Sequence, residues 1–181
     1  MSRQNVIRNK VRGRAFQSKL AEMVAGHNVG TLGGEDVMTE EYSYEAKTWD
    51  PTAKSHTGNW RGENFMLEME AGLARMPKKY DVLIAYISME ETFDNLILVR
   101  WQQWLDYFNA DRDAELNIAT RKFYVGKFIG LTWMRQAEAN CPDGKLPIVV
   151  VHQMGARHKQ DIVMIRESYF DSLVKAKKEA A

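Results

Sequence analysis

Thr31-Leu-Gly-Gly-Glu-Asp-Val-Met-Thr-Glu-Glu-Tyr-Ser-Tyr-Glu-Ala-Lys-Thr48 alternates weakly, as two short strands joined by the acidic turn Thr39-Glu40-Glu41 would. Asp36 stands nine positions before the triplet Glu45-Ala46-Lys47. Side chains on a strand repeat every two residues, so a strand from Tyr42 to Lys47 puts Glu45 and Lys47 on one face and turns Ala46 into a core. Asp36 brings a second carboxylate from the preceding strand. Such a pair can hold a hard divalent cation through oxygen, and the neighbouring ammonium handles protons or stabilises charge. Phosphodiester hydrolysis needs this combination: a metal that polarises phosphate and generates hydroxide, and a cation for the growing negative charge. Glu and Lys two apart are also ordinary surface residues, so context has to weigh. Gly33-Gly34 lets the backbone turn tightly and approach a ligand, and a basic helix comes immediately before.

That helix is read from Arg14 to Ala25, with Phe16, Leu20, Met23 and Val24 on one stripe and Gly26 as its stop. Arg3, Arg8, Lys10, Arg12, Arg14 and Lys19 all precede the first acid, Glu22, and residues 1–10 read as a loose basic arm. Five acids then cluster at Glu35, Asp36, Glu40, Glu41 and Glu45. A basic rim around an acidic centre attracts phosphates while the centre holds cations. Candidate contacts to a nucleic-acid backbone are Arg8, Lys10, Arg12, Arg14 and Lys19, with Lys54 and Arg61 from the polar loop that follows Lys47.

The chain of 181 residues is long enough for one domain with a core, and its 45% apolar and 27% charged residues are those of an ordinary globular protein. The formal charge of +1 advertises nothing by itself. No apolar run reaches the length of a membrane span, and the polar start, Met-Ser-Arg-Gln-Asn, points to a cytoplasmic product. Cys141 is the single cysteine, which excludes an internal disulfide and a cysteine-rich zinc site. His27, His56, His152 and His158 fall in different elements without helical zinc spacing. No glycine-rich phosphate loop is present, which argues against a nucleotide-dependent enzyme.

Further along, helices are expected over Glu63–Met76, from Trp101 through Phe108, over Phe128–Asn140 and from Tyr169 to about Lys178, the last begun by Ser168. Strands are expected over Asp81–Ile87, Asn95–Arg100, Ile148–His152 and Asp161–Arg166. Sliding the first helix-strand-strand-helix unit by 66 positions lays Val82-Leu83-Ile84 on Ile148-Val149-Val150 and Leu96–Arg100 on Ile162–Arg166 without a gap. A constant offset of this kind suggests duplication.

The order of basic helix, Gly-Gly-Glu-Asp36, strand with Glu45-Ala46-Lys47, helix, strand, strand, helix resembles the PD-(D/E)XK nuclease superfamily. Within it the chain looks most like the Holliday junction resolvases of archaea and their phage-encoded relatives. Residues 146–166 also look like the closing strands of small phage enzymes of this kind. The resemblance implies an α/β fold with a restriction-endonuclease-like core, a mixed central sheet flanked by helices. It implies a single nuclease domain over 1–181, with residues 57–115 as a helix-strand-strand-helix insertion or internal repeat. It implies Asp36, Glu45 and the carbonyl of Ala46 as metal ligands and Lys47 as the catalytic lysine. The family often adds a carboxylate from the first helix. By motif that position here is Gln17, Glu22 lies one turn later, and Glu35 is a further substitute. The implied activity is Mg²⁺-dependent endonucleolytic cleavage of branched or duplex DNA, with Mn²⁺ substituting, by in-line attack of water that leaves a 5′ phosphate. The implied assembly is a homodimer, acting in the cytoplasm, or in the host's cytoplasm if the chain is phage-encoded. The alternatives are a relative that cuts duplex or flaps, and a non-catalytic DNA-binding or assembly protein on the same scaffold.

Overall fold

Burial on both faces organises the central strands. In the computed structural model, which describes residues 3–30, 36–52, 60–76, 80–90, 92–109 and 116–179, the chain runs α1 (Arg3–Met23), β1 (His27–Asn28), β2 (Val37–Met38), β3 (Tyr42–Trp49), α2 (Gly62–Leu73), β4 (Val82–Met89), β5 (Leu96–Arg100) and α3 (Trp101–Asn109). It continues through β6 (Ile118–Val125), α4 (Ile129–Asn140), β7 (Leu146–Gln153), a 3-10 turn (His158–Gln160), β8 (Ile162–Arg166) and α5 (Glu167–Glu179). All eight strands join one mixed sheet in the order β1-β2-β3-β7-β8-β5-β4-β6. Among the described residues no helix is long and apolar enough to cross a membrane.

Two cores cover the two faces. Leu83, Ala85, Leu96, Leu98, Val149, Val151 and Met164 face the side on which α2 and α4 lay Phe65, Met66, Met69, Leu131 and Met134. The intervening residues Val82, Ile84, Ile97, Val99, Ile148, Val150 and Val163 face Phe16 and Leu20 of α1, Trp101 and Trp104 of α3, and Phe170 of α5. Strands buried on both faces read as continuous apolar runs, which is why these strands were legible without polar alternation.

The centre of the sheet carries a local twofold relation. β5 and β8 pair antiparallel with Leu98 opposite Met164, two residues that the 66-position offset makes equivalent. Equivalent bonds cross the seam in both directions: the Trp101 N–H donates to the Asp161 carbonyl at 2.7 Å, and the Glu167 N–H to the Asn95 carbonyl at 2.8 Å. Each outer connection thus closes the first turn of the other half's helix. The gapless overlay does not survive in the outer strands. Ile84 lies opposite Val99 while Val150 lies opposite Val163, so the partner of Ile84 by position is Ile148. The connection from β7 to β8 is two residues longer than that from β4 to β5.

Several expectations are corrected. The basic arm over 1–10 is helical from Arg3, because α1 extends upstream of the apolar stripe. The helix is not stopped by a left-handed glycine: Ala25 takes the positive φ of 51°. Gly26 serves another purpose, since a Cβ there would come within 2.6 Å of the Met38 carbonyl on β2. The segment between β3 and α4 joins the same sheet, β5 pairing with β8. Its last strand, β6, follows β4 in parallel and was not anticipated. Helix α5 begins at Glu167, and Ser168 is held by Asp94, which accepts from its N–H at 3.1 Å and from its hydroxyl at 2.6 Å.

Candidate active site

The hairpin of β2 and β3 forms as the alternation predicts. Its turn is tied by the Thr39 N–H to the Tyr42 carbonyl at 2.9 Å, and Lys145 clamps it from outside by donating to the carbonyls of Thr39 and Glu40 at 2.6 and 2.7 Å. Val37 lies opposite Tyr44, and one step further along this register Asp36 meets the level of Glu45. On the other side β3 runs parallel to β7, and α4, which leads into β7, crosses over β3.

Asp36, Glu45 and Lys47 converge. Asp36 Oδ2 accepts the Ala46 N–H at 2.8 Å, and Asp36 Oδ1 accepts the side-chain N–H of Gln17 at 2.5 Å. Lys47 Nζ donates to Glu45 Oε1 at 2.5 Å and to Gln136 Oε1 at 3.0 Å. The other oxygen of Glu45, Oε2, is buried without a hydrogen-bond partner among the described residues. Ala46 packs on the α1 side of the sheet, as the strand period requires. The Tyr44 carbonyl accepts from Asp36 N–H at 3.2 Å; backbone groups also repeat every two residues, so the Ala46 carbonyl points toward the β2 side, as its N–H does.

Burial pushes the carboxyls of Asp36 and Glu45 above their ordinary range. For Asp36 the burial outweighs the Ala46 N–H, the Lys47 charge and the Gln17 amide. For Glu45 it outweighs Lys47, and the nearby charge of Asp36 adds to it. A buried and a half-buried carboxyl side by side, with one buried oxygen lacking a partner among the described residues, form a site that gains from a cation. Gly30 leaves the room: a Cβ there would come within 3.0 Å of Gln17 Oε1 and 3.3 Å of Asp36 Oδ1.

The remaining candidates divide. Gln17 sits in the cluster, whereas Glu22 is exposed and paired with Lys19 at 2.8 Å. Glu35, Lys54 and the side chain of Arg8 lie outside the described residues. Lys10, Arg12 and Arg14 are exposed on α1, and Arg12 reaches Asp50 at 3.4 Å. Arg61 is exposed where α2 begins, its carbonyl accepting from Phe65 N–H at 3.0 Å. Gln136 was missed, since nothing in the spacing of α4 ties it to β3. His152 and His158, expected in different elements, lie with ring centroids 4.4 Å apart and planes tilted by 30°.

Comparison with protein-family models, curated proteins and solved structures returns no match for this chain.

Proposed function

We propose that the protein is a metal-dependent DNA endonuclease on a restriction-endonuclease-like core. In this reading the core consists of α1, the hairpin strands, α4 and β7, with α2 through β6 as an extension that continues its sheet. The observation that carries the reading is the meeting of Asp36, Glu45 and Lys47 around a buried carboxylate oxygen with no partner among the described residues.

The donor set fits a hard divalent ion such as Mg²⁺, with Mn²⁺ as substitute: Asp36, Glu45 and the Ala46 carbonyl supply oxygen ligands. When bound, the ion supplies a polarised phosphate and an acidified water. The chain's own residues do the rest. Gln17 orients Asp36, the Ala46 N–H fixes its second oxygen, and Gln136 holds Lys47 beside Glu45 with its charge available to the phosphate in the transition state. Arg12, Arg14 and Lys10 line one helix and neutralise backbone phosphates without reading bases. A four-way junction is the favoured substrate, cut by a homodimer whose two sites are related by a twofold axis.

The test is cleavage of a four-way junction beside its linear arms, in Mg²⁺, Mn²⁺ and Ca²⁺. Cutting in Mg²⁺, binding without cutting in Ca²⁺, and loss of cutting with retained binding in Asp36→Ala and Glu45→Ala are expected. A tenth of wild-type activity surviving in either variant at saturating Mg²⁺ would sink the assignment. Equal affinity for junction and duplex with single unpaired cuts would remove the junction preference alone.

A further inference from the structure

On the opposite face of the sheet from Glu45 and Lys47, a second cluster closes around one carboxylate. Asp161, wholly buried, accepts from or opposes His152 Nδ1 through Oδ1 at 2.6 Å and His158 Nδ1 through Oδ2 at 3.0 Å. The two imidazoles meet tilted by 30°, and Phe16 of α1 stacks on both, with ring centroids 5.1 Å from His152 and 5.9 Å from His158. The three side chains come from the end of β7, the 3-10 turn and the residue just before β8, and the Trp101 N–H donates to the Asp161 carbonyl at 2.7 Å. On the solvent side the histidines border a cavity of about 230 Å³ that is also lined by Arg12, Lys19, Thr48 and Met154.

We infer that His152, His158 and Asp161 form a binding site for a zinc-class divalent ion, separate from the carboxylate site. A buried carboxylate requires a compensating positive charge. Among the described residues its side-chain partners are the two imidazoles, with no lysine or arginine bonded to it. An ion held among the three side chains compensates that charge.

The geometry is compatible with that placement. His152, His158 and Asp161 each offer one ligand atom, a ring nitrogen or a carboxylate oxygen, and these atoms all lie within 4.8 Å of one another. Bonds of about 2.0–2.2 Å to nitrogen and oxygen in a tetrahedral shell set ligand atoms roughly 3.3 Å apart, so the 2.6 Å contact between His152 and Asp161 opens as the ion enters between them. Two imidazoles and one carboxylate suit Zn²⁺, Co²⁺ or Ni²⁺, whereas Mg²⁺ prefers an all-oxygen shell. Three protein ligands leave a position open toward the cavity, where water completes the coordination. The ligand set shares no residue with Asp36, Glu45 and Lys47, so the inference stands independently of the proposed nuclease.

The experiment titrates chelator-stripped full-length protein with Co²⁺ and with Zn²⁺, following Co²⁺ visible absorption and bound metal by equilibrium dialysis. With excess Mg²⁺ present to occupy the carboxylate site, one saturable Co²⁺ per chain that Mg²⁺ does not displace and Zn²⁺ does is expected. His158 is the most exposed of the three ligands, at 37%, so His158→Ala is the variant that disturbs packing least. It should weaken binding at least tenfold, while Glu45→Ala leaves it unchanged. X-ray absorption of the Zn²⁺-loaded wild type, which needs no variant, should show two imidazole ligands. No saturable binding, an all-oxygen shell, or unchanged affinity in His158→Ala would overturn the site and leave a purely hydrogen-bonded cluster.

Discussion

Gln17 reaches across 19 positions of chain to donate its side-chain N–H to Asp36 Oδ1 at 2.5 Å. An amide therefore stands beside the acids at a point where a third carboxylate would add ligand charge.

Gln17→Ala should raise the Mg²⁺ concentration needed for half-maximal cleavage by about 10-fold or more, the usual loss when a group orienting a metal ligand is removed. Gln17→Glu should lower it. The check is a Mg²⁺ titration of the cleavage rate for the three proteins. An unchanged midpoint in both variants would place the remaining ligand elsewhere.

Glu45 predicts a pH dependence of stability whose sign follows from its raised carboxyl. A group that binds its proton more tightly when folded stabilises the fold most below its unfolded value, and that advantage is lost as pH rises through the folded value. Without divalent metal, Glu45→Gln should then melt above wild type at neutral pH, by about 2–4 °C if the gain is near 1 kcal/mol. The gap should close as pH falls below the ordinary carboxylate range. Thermal melts across pH in chelator check this, and a variant that melts lower at neutral pH would contradict it.

Arg166 and Glu138 form a two-pronged pair at 2.7 and 3.1 Å across β8 and α4, and both side chains are largely covered. Arg166→Met leaves the carboxylate without its partner and should cost about 2 kcal/mol, less than the roughly 3–5 kcal/mol for breaking a fully buried pair because Glu138 keeps some water. Arg166→Met with Glu138→Leu should recover most of that loss. Denaturant unfolding of the three variants gives the comparison.

How much of this was legible depended on sequence distance. Asp36, Glu45 and Lys47 could be found because adjacent strands of one hairpin bring them together, and strand period alone assigns their faces. Gln136 lies 89 positions from Lys47, and its approach requires the pairing of β3 with β7, which no local pattern encodes. The same holds for His152 and His158, joined only when the 3-10 turn folds back on β7. The strand β6 escaped because its burial alternates poorly: Ala119 and Phe123 are buried while Thr120, Arg121 and Lys122 between them are exposed. A charged edge strand of this kind blocks further pairing and disguises itself as a loop. The first turns of α1 carry no apolar stripe, so they read as an arm.

Arg12 and Arg14 sit exposed on α1, and Arg12 already shares its charge with Asp50 at 3.4 Å. Reversing both to Glu should weaken junction and duplex binding alike and flatten the dependence of log affinity on log salt by about 1–2, since each lost phosphate contact removes roughly 0.9. Binding isotherms at several salt concentrations test it. A lower affinity with an unchanged slope would move the phosphate contacts off this helix.

The paired backbone bonds from Trp101 to Asp161 and from Glu167 to Asn95 have the pattern of an isologous contact, in which each side gives what it receives. Two free units meeting about a dyad would form such bonds only above some threshold concentration. Covalent connection turns that encounter into an intramolecular one, which dilution cannot reverse. The seam of β5 and β8 therefore behaves as a permanently associated interface, and a chain shortened to either half would have to recruit a second copy to close its helix.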